Sequence, residues 1–316
     1  MTGLRHRVAG APITWGVCEV PGWGYQMASQ RVLAEMSRIG LRATELGPEG
    51  FLPAEGVLDT LRPYGLALVG GFFPAVLHRK EVIEGELARA AAYADVLAGG
   101  GADVFVLACV GSEDGYDAST ELDDGGWATL VEGIDRVVDL AGERGLEVGV
   151  HPHHGTLIQA PHHVERLLEM SIAPLCVDTG HLMVGGADPL HVVRTAPERV
   201  SHVHLKDVDG RLAGRVRGGD STYTEAVRSG MYRPLGAGDL DIRAIVETLL
   251  EDGYRGWFVL EQDTVLAGPP AEGAGPVADA MASFEFLRRL AAEHEETEQD
   301  SGQGGRGTRA AHGATS

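Results

Sequence analysis

Eight short apolar runs, separated by stretches with helical periodicity, most constrain what this 316-residue chain can fold into. Several runs are rich in Val and Leu and almost uninterrupted, which is typical of parallel strands covered by helices. Between them, apolar residues recur at helical spacing, for example at Val32, Met36 and Ile39. The predicted strands cover residues 8–14, 41–47, 65–72, 103–110, 145–151, 173–178, 199–205 and 256–261.

This alternation predicts an α/β fold, a single-domain (β/α)8 TIM barrel over residues 1–292. The length agrees, since such barrels typically span about 250 residues. A doubly wound open sheet is the structural alternative. It usually has fewer strands at this length, and no G-x-G-x-x-G motif opens a helix after the first predicted strand, so we favour the barrel.

Two regions depart from the alternation. Residues 209–238 form a long segment after the seventh predicted strand and are rich in Gly and Arg. In a barrel this position is a loop on the catalytic face, so we predict a lid or substrate loop. Residues 293–316 contain almost no large apolar side chain, and such a segment cannot offset its ordering entropy. We therefore predict a disordered C-terminal tail.

Net charge, cysteine number and apolar runs argue against nucleic acid, membranes and secretion as the setting of this chain. Lys and Arg number 26 and Asp and Glu 46, so the net charge of −20 argues against nucleic acid and anionic membranes, which are polyanions. Cys18, Cys109 and Cys176 are too few and too widely spaced for a disulfide framework. The sequence contains no uninterrupted run of about 18 apolar residues, so we predict no membrane span. Pro12 and Gly16 interrupt the N-terminal segment, so we predict no signal peptide and a cytoplasmic protein.

Histidine, lysine and carboxylate residues lie at the ends of the last four predicted strands. They are His151 and His153 in HPHHGT, Asp178 and His181 in DTGH, His204 and Lys206 in SHVHLKD, and Glu261 and Asp263 in LEQD. In a barrel these strand ends converge on one site. Imidazole and carboxylate together suit Mn²⁺, Co²⁺, Fe²⁺ or Zn²⁺. A single such histidine is more often a hydrogen-bonded core residue, but four consecutive strands that end this way favour a metal site.

Three further residues each allow two interpretations. Glu45 ends the second strand in ATELGP, a position that favours the pocket over a surface loop. Trp15 follows the first strand and is equally a core anchor or a wall of the substrate site. Lys206 is either a catalytic base, because a nearby cation lowers the pKa of a lysine, or the ion-pair partner of Asp207 or of a loop carboxylate.

Seven motifs between residues 10 and 263 are similar to those of a known family. They are APITWGVCEVPGWG, TELGPEGFLP, HPHHGT, DTGHLMVGGADPL, HVHLKDV, AVRSGMYRPLGAGDLDI and GWFVLEQD. The chain resembles the inosose dehydratase (2-keto-myo-inositol dehydratase) branch of the sugar isomerase/epimerase-like TIM barrels, a superfamily that also resembles xylose isomerase. The motif AVRSGMYRPLGAGDLDI is the one that indicates this branch.

The resemblance implies a divalent metal, Mn²⁺ or Co²⁺ ahead of Zn²⁺ or Fe²⁺, held by one residue from each of strands five to eight. The ligands that it implies are His151, Asp178, His204 and Glu261. The superfamily usually has Glu at the end of strand five, whereas the inosose branch shares the histidine-rich ending found here. His181 corresponds to a histidine that contacts substrate in relatives, and we add Trp15 as a second substrate-binding candidate.

The function that the resemblance implies is a metal-dependent dehydratase acting on 2-keto-myo-inositol, a keto-cyclitol. A divalent ion on a ketone oxygen stabilises the enolate formed when a base removes the α-proton, and a β-hydroxyl can then leave. In our hypothesis His153 or Lys206 is the base, and the other, or Glu45, protonates the hydroxyl. The same site would serve a sugar isomerase or epimerase or a 3-keto-glycoside lyase, and a sugar-binding module is a further alternative. The exact substrate, the metal, the base and a homo-oligomeric state stay open at this point.

Overall fold

The central strands of the protein close into a barrel. The computed structural model describes residues 4–111 and 120–304. Within those ranges the strands are β1 (Val8–Gly10), β2 (Ala43–Glu45), β3 (Ala67–Ala75), β4 (Val104–Cys109), β5 (Glu147–Val150), β6 (Leu175–Asp178), β7 (Val200–Leu205), β8 (Asp207–Val208), β9 (Tyr232–Arg233) and β10 (Phe258–Leu260). Eight of them pair in the closed order β1-β10-β7-β6-β5-β4-β3-β2, and each overlaps one predicted run. The predicted (β/α)8 barrel is therefore confirmed.

Helices follow the barrel strands along the chain. They are α1 (Ser29–Ile39), α2 (Val57–Leu61), α3 (Ile83–Gly99), α4 (Asp124–Gly142), α5 (Pro161–Met170), α6 (Thr179–Gly185), α7 (Pro189–Thr195), α8 (Gly210–Arg217), α9 (Tyr223–Arg228), α10 (Ile242–Glu251) and α11 (Pro276–Gly304). Their ends follow local chemistry. Gly40 ends α1 at a φ of 98°, a left-handed conformation that a side chain would strain. The Asp123 carboxylate caps α4 by accepting the N–H of Gly126 at 2.8 Å.

Side-chain alternation along β4 shows how the two layers of the core are filled. Val104 and Val106 pack with Cys176 of β6 and with Phe72, in a small cluster of their own. Phe105, between the two valines, belongs instead to the large cluster formed by the strands and the surrounding helices. Because apolar side chains occupy both faces of such strands, the polar residues at their carboxyl ends are exceptions that need a separate explanation.

The long segment predicted after the seventh barrel strand is present, but it is not irregular. It contains α8 and α9, and its flanks form the antiparallel pair β8–β9. Leu212, Val216 and Tyr223 pack together in a separate apolar cluster that includes Trp23 from the loop after β1. Residues 209–238 therefore bury enough apolar surface to order themselves over the barrel mouth.

Helix α11 extends beyond the predicted end of the barrel domain. We placed the start of a disordered tail at residue 293, and helix α11 continues to Gly304. The domain boundary at residue 292 stays a prediction. Glu and Gln, frequent after Ala292, are good helix formers, and the loss of apolar residues does not by itself end a helix. Residues 305–316 of the predicted tail lie outside the described residues. None of the described helices is long and apolar enough to cross a membrane.

Candidate active site

A cavity of about 980 Å³ opens at the carboxyl ends of the barrel strands, which is where barrel enzymes build their active sites. Its polar wall includes Glu45 at the end of β2, His151 and His153 after β5, and Glu261 and Asp263 after β10. Residues that are more than 200 positions apart in the sequence therefore meet at one site.

Four side-chain atoms from consecutive strands converge beneath this cavity. His151 Nε2 lies 3.4 Å from Asp178 Oδ2 and 3.2 Å from His204 Nδ1. His204 Nδ1 in turn lies 3.6 Å from Asp178 Oδ2 and 2.5 Å from Glu261 Oε2. Strand register explains the meeting, because Asp178 and His204 are paired residues of β6 and β7. The structure thus brings the four predicted metal ligands together.

This arrangement fits a divalent cation. Asp178 Oδ2 and Glu261 Oε2 are buried and have no hydrogen-bond partner among the described residues. The other oxygen of Asp178 accepts the backbone N–H of His181 at 2.8 Å, which fixes the carboxylate at the start of α6. Ligand atoms about 2.1 Å from a single ion lie roughly 3.0–3.5 Å from one another, close to most of the separations seen here. Two imidazoles and two carboxylates suit Mn²⁺, Co²⁺, Zn²⁺ or Fe²⁺.

The groups around His204 also favour positive charge at this site. Burial by itself lowers the pKa of His204, but Cys176, Glu261 and Glu45 raise it, and the net pKa lies well above the usual value. A proton on the imidazole or a cation beside Nδ1 would each supply the charge that these carboxylates stabilise.

Glu45 orients His204 from the side opposite the convergent atoms. Its Oε1 accepts the Nε2–H of His204 at 2.9 Å and that of His202 at 2.9 Å. With the proton on Nε2, the Nδ1 lone pair of a neutral His204 faces Asp178 and Glu261, as metal ligation requires. Burial alone would raise the pKa of Glu45, but the two histidines, above all His204, hold it well below its usual value.

Lys206 is the centre of a second polar cluster. Its Nζ lies 2.7 Å from Asp263 Oδ1 and donates to His181 Nε2 at 2.8 Å. Asp178 and Glu261 lie 3.4 Å and 3.3 Å from the same nitrogen. Burial by itself lowers the pKa of Lys206, but the three carboxylates, Asp178 first, raise it well above its usual value. The lowered pKa was expected beside a bound cation, and for the metal-loaded protein it stays a prediction.

Of the two ion-pair partners considered for Lys206, the loop carboxylate is present as Asp263, whereas Asp207 binds the backbone. Its Oδ1 accepts the N–H groups of Val208 at 2.9 Å and Leu240 at 3.1 Å. Its Oδ2 accepts those of Gly236 at 2.8 Å and Gly238 at 2.9 Å. This buried carboxylate thus ties the beginning of the insertion to its end.

His153 forms part of the cavity wall next to these clusters. Its Nδ1 lies 2.6 Å from the carbonyl oxygen of His154, so Nδ1 carries the proton and Nε2 the lone pair. Its ring faces that of His181, with 3.6 Å between centroids. Burial, followed by the charges of His151 and Lys206, lowers its pKa well below the usual value. His153 is therefore a neutral imidazole at neutral pH.

Trp15 is the predicted site residue that the structure places elsewhere. Its side chain is buried, its indole Nε1 donates to Glu35 Oε2 at 2.8 Å, and it does not belong to the described cavity wall. The turn Pro12–Trp15 after β1 carries the indole to α1. The substrate-wall interpretation is therefore corrected, and Trp15 is a core anchor.

Sequence reasoning missed two residues around Lys206, namely Tyr223 and Tyr232. Tyr223 of the insertion donates a short hydrogen bond to Asp263, and its hydroxyl lies 3.0 Å from that of Tyr232. The ring of Tyr232 lies 5.2 Å from the Lys206 ammonium. Asp263, in contrast, is one of the strand-end residues that the motif LEQD predicted. The tyrosines gave no signal, since their approach depends on how the insertion folds back.

The chain also matches the model of a known family. Residues 25–290 match the xylose isomerase-like TIM barrel, which agrees with the closed barrel and with the position of the site. The chain therefore belongs to the xylose isomerase-like TIM barrel family.

Curated proteins and a solved structure that are similar to this chain give a more specific comparison than the family model. The inosose dehydratase of Geobacillus thermodenitrificans (strain NG80-2) is 33% identical over 271 residues, which are 82% of this chain and 91% of that protein. The inosose dehydratase of Geobacillus kaustophilus (strain HTA426) is 30% identical over 276 residues, 83% of this chain and 90% of that protein. A solved structure of L-ribulose 3-epimerase superposes with a TM-score of 0.68 at 14% identity, covering 96% of this chain and 99% of that one. The predicted resemblance to inosose dehydratases is therefore confirmed, and these relatives are enzymes.

Proposed function

We propose that this protein is a metal-dependent dehydratase of a keto-cyclitol, with 2-keto-myo-inositol as its substrate. The observation that carries the proposal is the convergence of His151, Asp178, His204 and Glu261 below an open cavity. Relatives named inosose dehydratase support the choice of substrate and of reaction. In this proposal the four residues hold a divalent cation, for which we favour Mn²⁺ or Co²⁺ over Zn²⁺ or Fe²⁺.

A bound cation would polarise the substrate ketone and make the neighbouring C–H more acidic. In our proposal His153 takes that proton on Nε2, because its Nδ1 is already committed to the His154 carbonyl. The electron pair of the C–H bond moves toward the ketone oxygen and then forms a C=C bond as the β-hydroxyl departs.

Lys206 and Asp263 supply the second proton in this proposal. Lys206 is kept protonated by its carboxylate neighbours, and Asp263 stands between it and the cavity, whose wall Asp263 helps to form. A proton that passes from the ammonium through this carboxylate converts the leaving hydroxide into water. Glu45 and His181 act as positioning residues, the first for His204 and the second for Lys206.

The direct test is turnover by protein freed of metal with a chelator and reloaded with Mn²⁺ or Co²⁺. We expect the reloaded protein to convert 2-keto-myo-inositol into an absorbing dione and the chelated protein to be inactive. Asp178→Asn should lower both metal content and turnover by at least about 100-fold. Asp220→Asn, at an exposed position in the insertion, serves as the matched control. Metal-loaded protein that forms no dione would overturn the dehydratase proposal.

Hydrogen exchange separates the proposal from its alternatives. An epimerase or isomerase would incorporate deuterium from heavy water into recovered substrate without loss of water. A dehydratase converts substrate to the dione, and exchange then accompanies net elimination.

Cytoplasmic location is the compartment that we propose, in agreement with the absence of disulfides among Cys18, Cys109 and Cys176.

A further inference from the structure

The cavity continues beyond its polar end into a groove between the loop after β2 and helix α3. We call it the side groove, and it is lined by Leu46, Phe51, Leu52, Phe73, Tyr93 and Val96. The same continuous cavity reaches His151 and Glu261, so a molecule held at the polar end can extend into the groove without leaving the protein.

The named walls of the side groove are apolar, and Glu49 and Arg89 are the charged residues that line the cavity beside them. Tyr93 is partly exposed while its hydroxyl oxygen is buried, so the surface that it presents belongs to the ring. Arg89 lies at the outer end, with its guanidinium 5.0 Å from the Phe73 ring and 2.7 Å from the Glu86 carboxylate. The positive charge of Arg89 is therefore already paired with Glu86 and with the Phe73 ring.

A free keto-cyclitol does not suit this part of the cavity. Its hydroxyl groups need hydrogen-bond partners, and apolar walls do not provide them. At the roughly 30 Å³ that each heavy atom occupies in liquid water, a ring with about a dozen non-hydrogen atoms fills at most about 360 Å³. That is well under half of the cavity of about 980 Å³.

We infer that the side groove binds an apolar substituent, an aryl or alkyl group linked through oxygen to a keto-cyclitol or keto-sugar ring. The inference rests on the proposed function only in placing the polar ring at the metal end of the cavity. Substrates of this class would bury the substituent against Phe51, Phe73 and Tyr93 while the ring keeps its polar contacts.

Binding of unreactive ligands tests this inference independently of catalysis. The probes are myo-inositol and its mono-O-benzyl ether, titrated calorimetrically into the full-length, Mn²⁺-loaded protein. We expect at least one regioisomer of the benzyl ether to bind at least tenfold more tightly than myo-inositol. Ala92→Phe, at an exposed α3 position in the cavity wall, should reduce this preference to less than threefold.

The matched control is Ala88→Phe, a likewise exposed residue one helical turn earlier that does not line the cavity. It should retain the full preference for the benzyl ether. Equal binding of myo-inositol and every benzyl regioisomer, or an undiminished preference in Ala92→Phe, would overturn the inference. Dehydration of 2-keto-myo-inositol is measured separately, so loss of that activity rejects the proposed function and not the groove.

Discussion

Among single residues, Glu45 shows how a carboxylate outside the proposed ligand set can control the tautomer and basicity of a ligand, here His204. It was expected to act on substrate, yet one of its oxygens accepts hydrogen bonds from both His202 and His204. A carboxylate in this position fixes the tautomer of a ligating imidazole and increases its basicity. Its effect on the reaction would then run through the metal.

Glu45→Gln should therefore weaken metal binding by about 10- to 100-fold, because a neutral amide holds the His204 N–H less strongly. Competition with a metal-chelating dye measures the dissociation constant directly. Glu49→Gln, an exposed position in the loop that follows β2, should leave the constant unchanged. If Glu45→Gln binds metal normally and loses only turnover, Glu45 acts on the substrate instead.

Tyr223 allows a prediction about positioning. Its hydroxyl holds Asp263, and Asp263 in turn holds the Lys206 ammonium. Tyr223→Phe removes only this hydroxyl, so we expect kcat to fall about tenfold while KM and metal affinity change little. The exposed Tyr25→Phe is the control. A change in KM alone would show that Tyr223 contacts substrate and does not position the lysine.

At the level of elements, the insertion after β7 is held by one buried carboxylate. Asp207 accepts four backbone N–H groups from both ends of the segment. A β-carbon at Gly238 would lie 2.2 Å from Asp207 Oδ1, so only glycine allows the backbone to come this close. The carboxylate therefore closes the insertion and keeps its tyrosines over the site.

Asp207→Asn should destabilise the protein by about 2–4 kcal/mol, because the amide turns N–H groups toward backbone donors and leaves some unpaired. Urea unfolding gives the free energy, and amide hydrogen exchange over residues 208–240 should show lost protection. Asp220→Asn, on the surface of the same insertion, should change neither quantity. Unchanged exchange in Asp207→Asn would contradict the anchoring role.

For the whole molecule, the buried histidines predict how stability depends on pH without metal. Burial is the largest cause that lowers the pKa values of His151, His153, His181 and His202. In the unfolded chain they titrate near 6.5, so below that pH the unfolded state binds more protons. Each then removes up to about 1.4 kcal/mol of stability per pH unit as pH falls toward its folded pKa.

His204 acts in the opposite sense, because its raised pKa adds stability that is lost only as pH rises through that value. Four histidines against one predict that the free energy of unfolding falls between pH 7 and pH 5. Urea unfolding at several pH values with a chelator present measures this slope. His181→Asn should make the slope shallower, and stability that rises toward pH 5 would refute the prediction.

Local sequence determined much of this protein. Periodicity and residue type depend on near neighbours, so the eight strands and their helices could be predicted, and so could the polar ends that carry His151, Asp178, His204 and Glu261. The barrel rule then placed those ends on one face, because parallel strands of a closed sheet finish together.

Only the tertiary structure decided the rest, because it depends on contacts between distant parts of the chain. The charge of Lys206 follows from three carboxylates on neighbouring strands, and Trp15 turns to Glu35 because α1 lies there. Tyr223 reaches Asp263 because the insertion folds back. Electrostatic energy and hydrogen bonding act through space over a few ångströms, and spacing along the sequence does not report those distances.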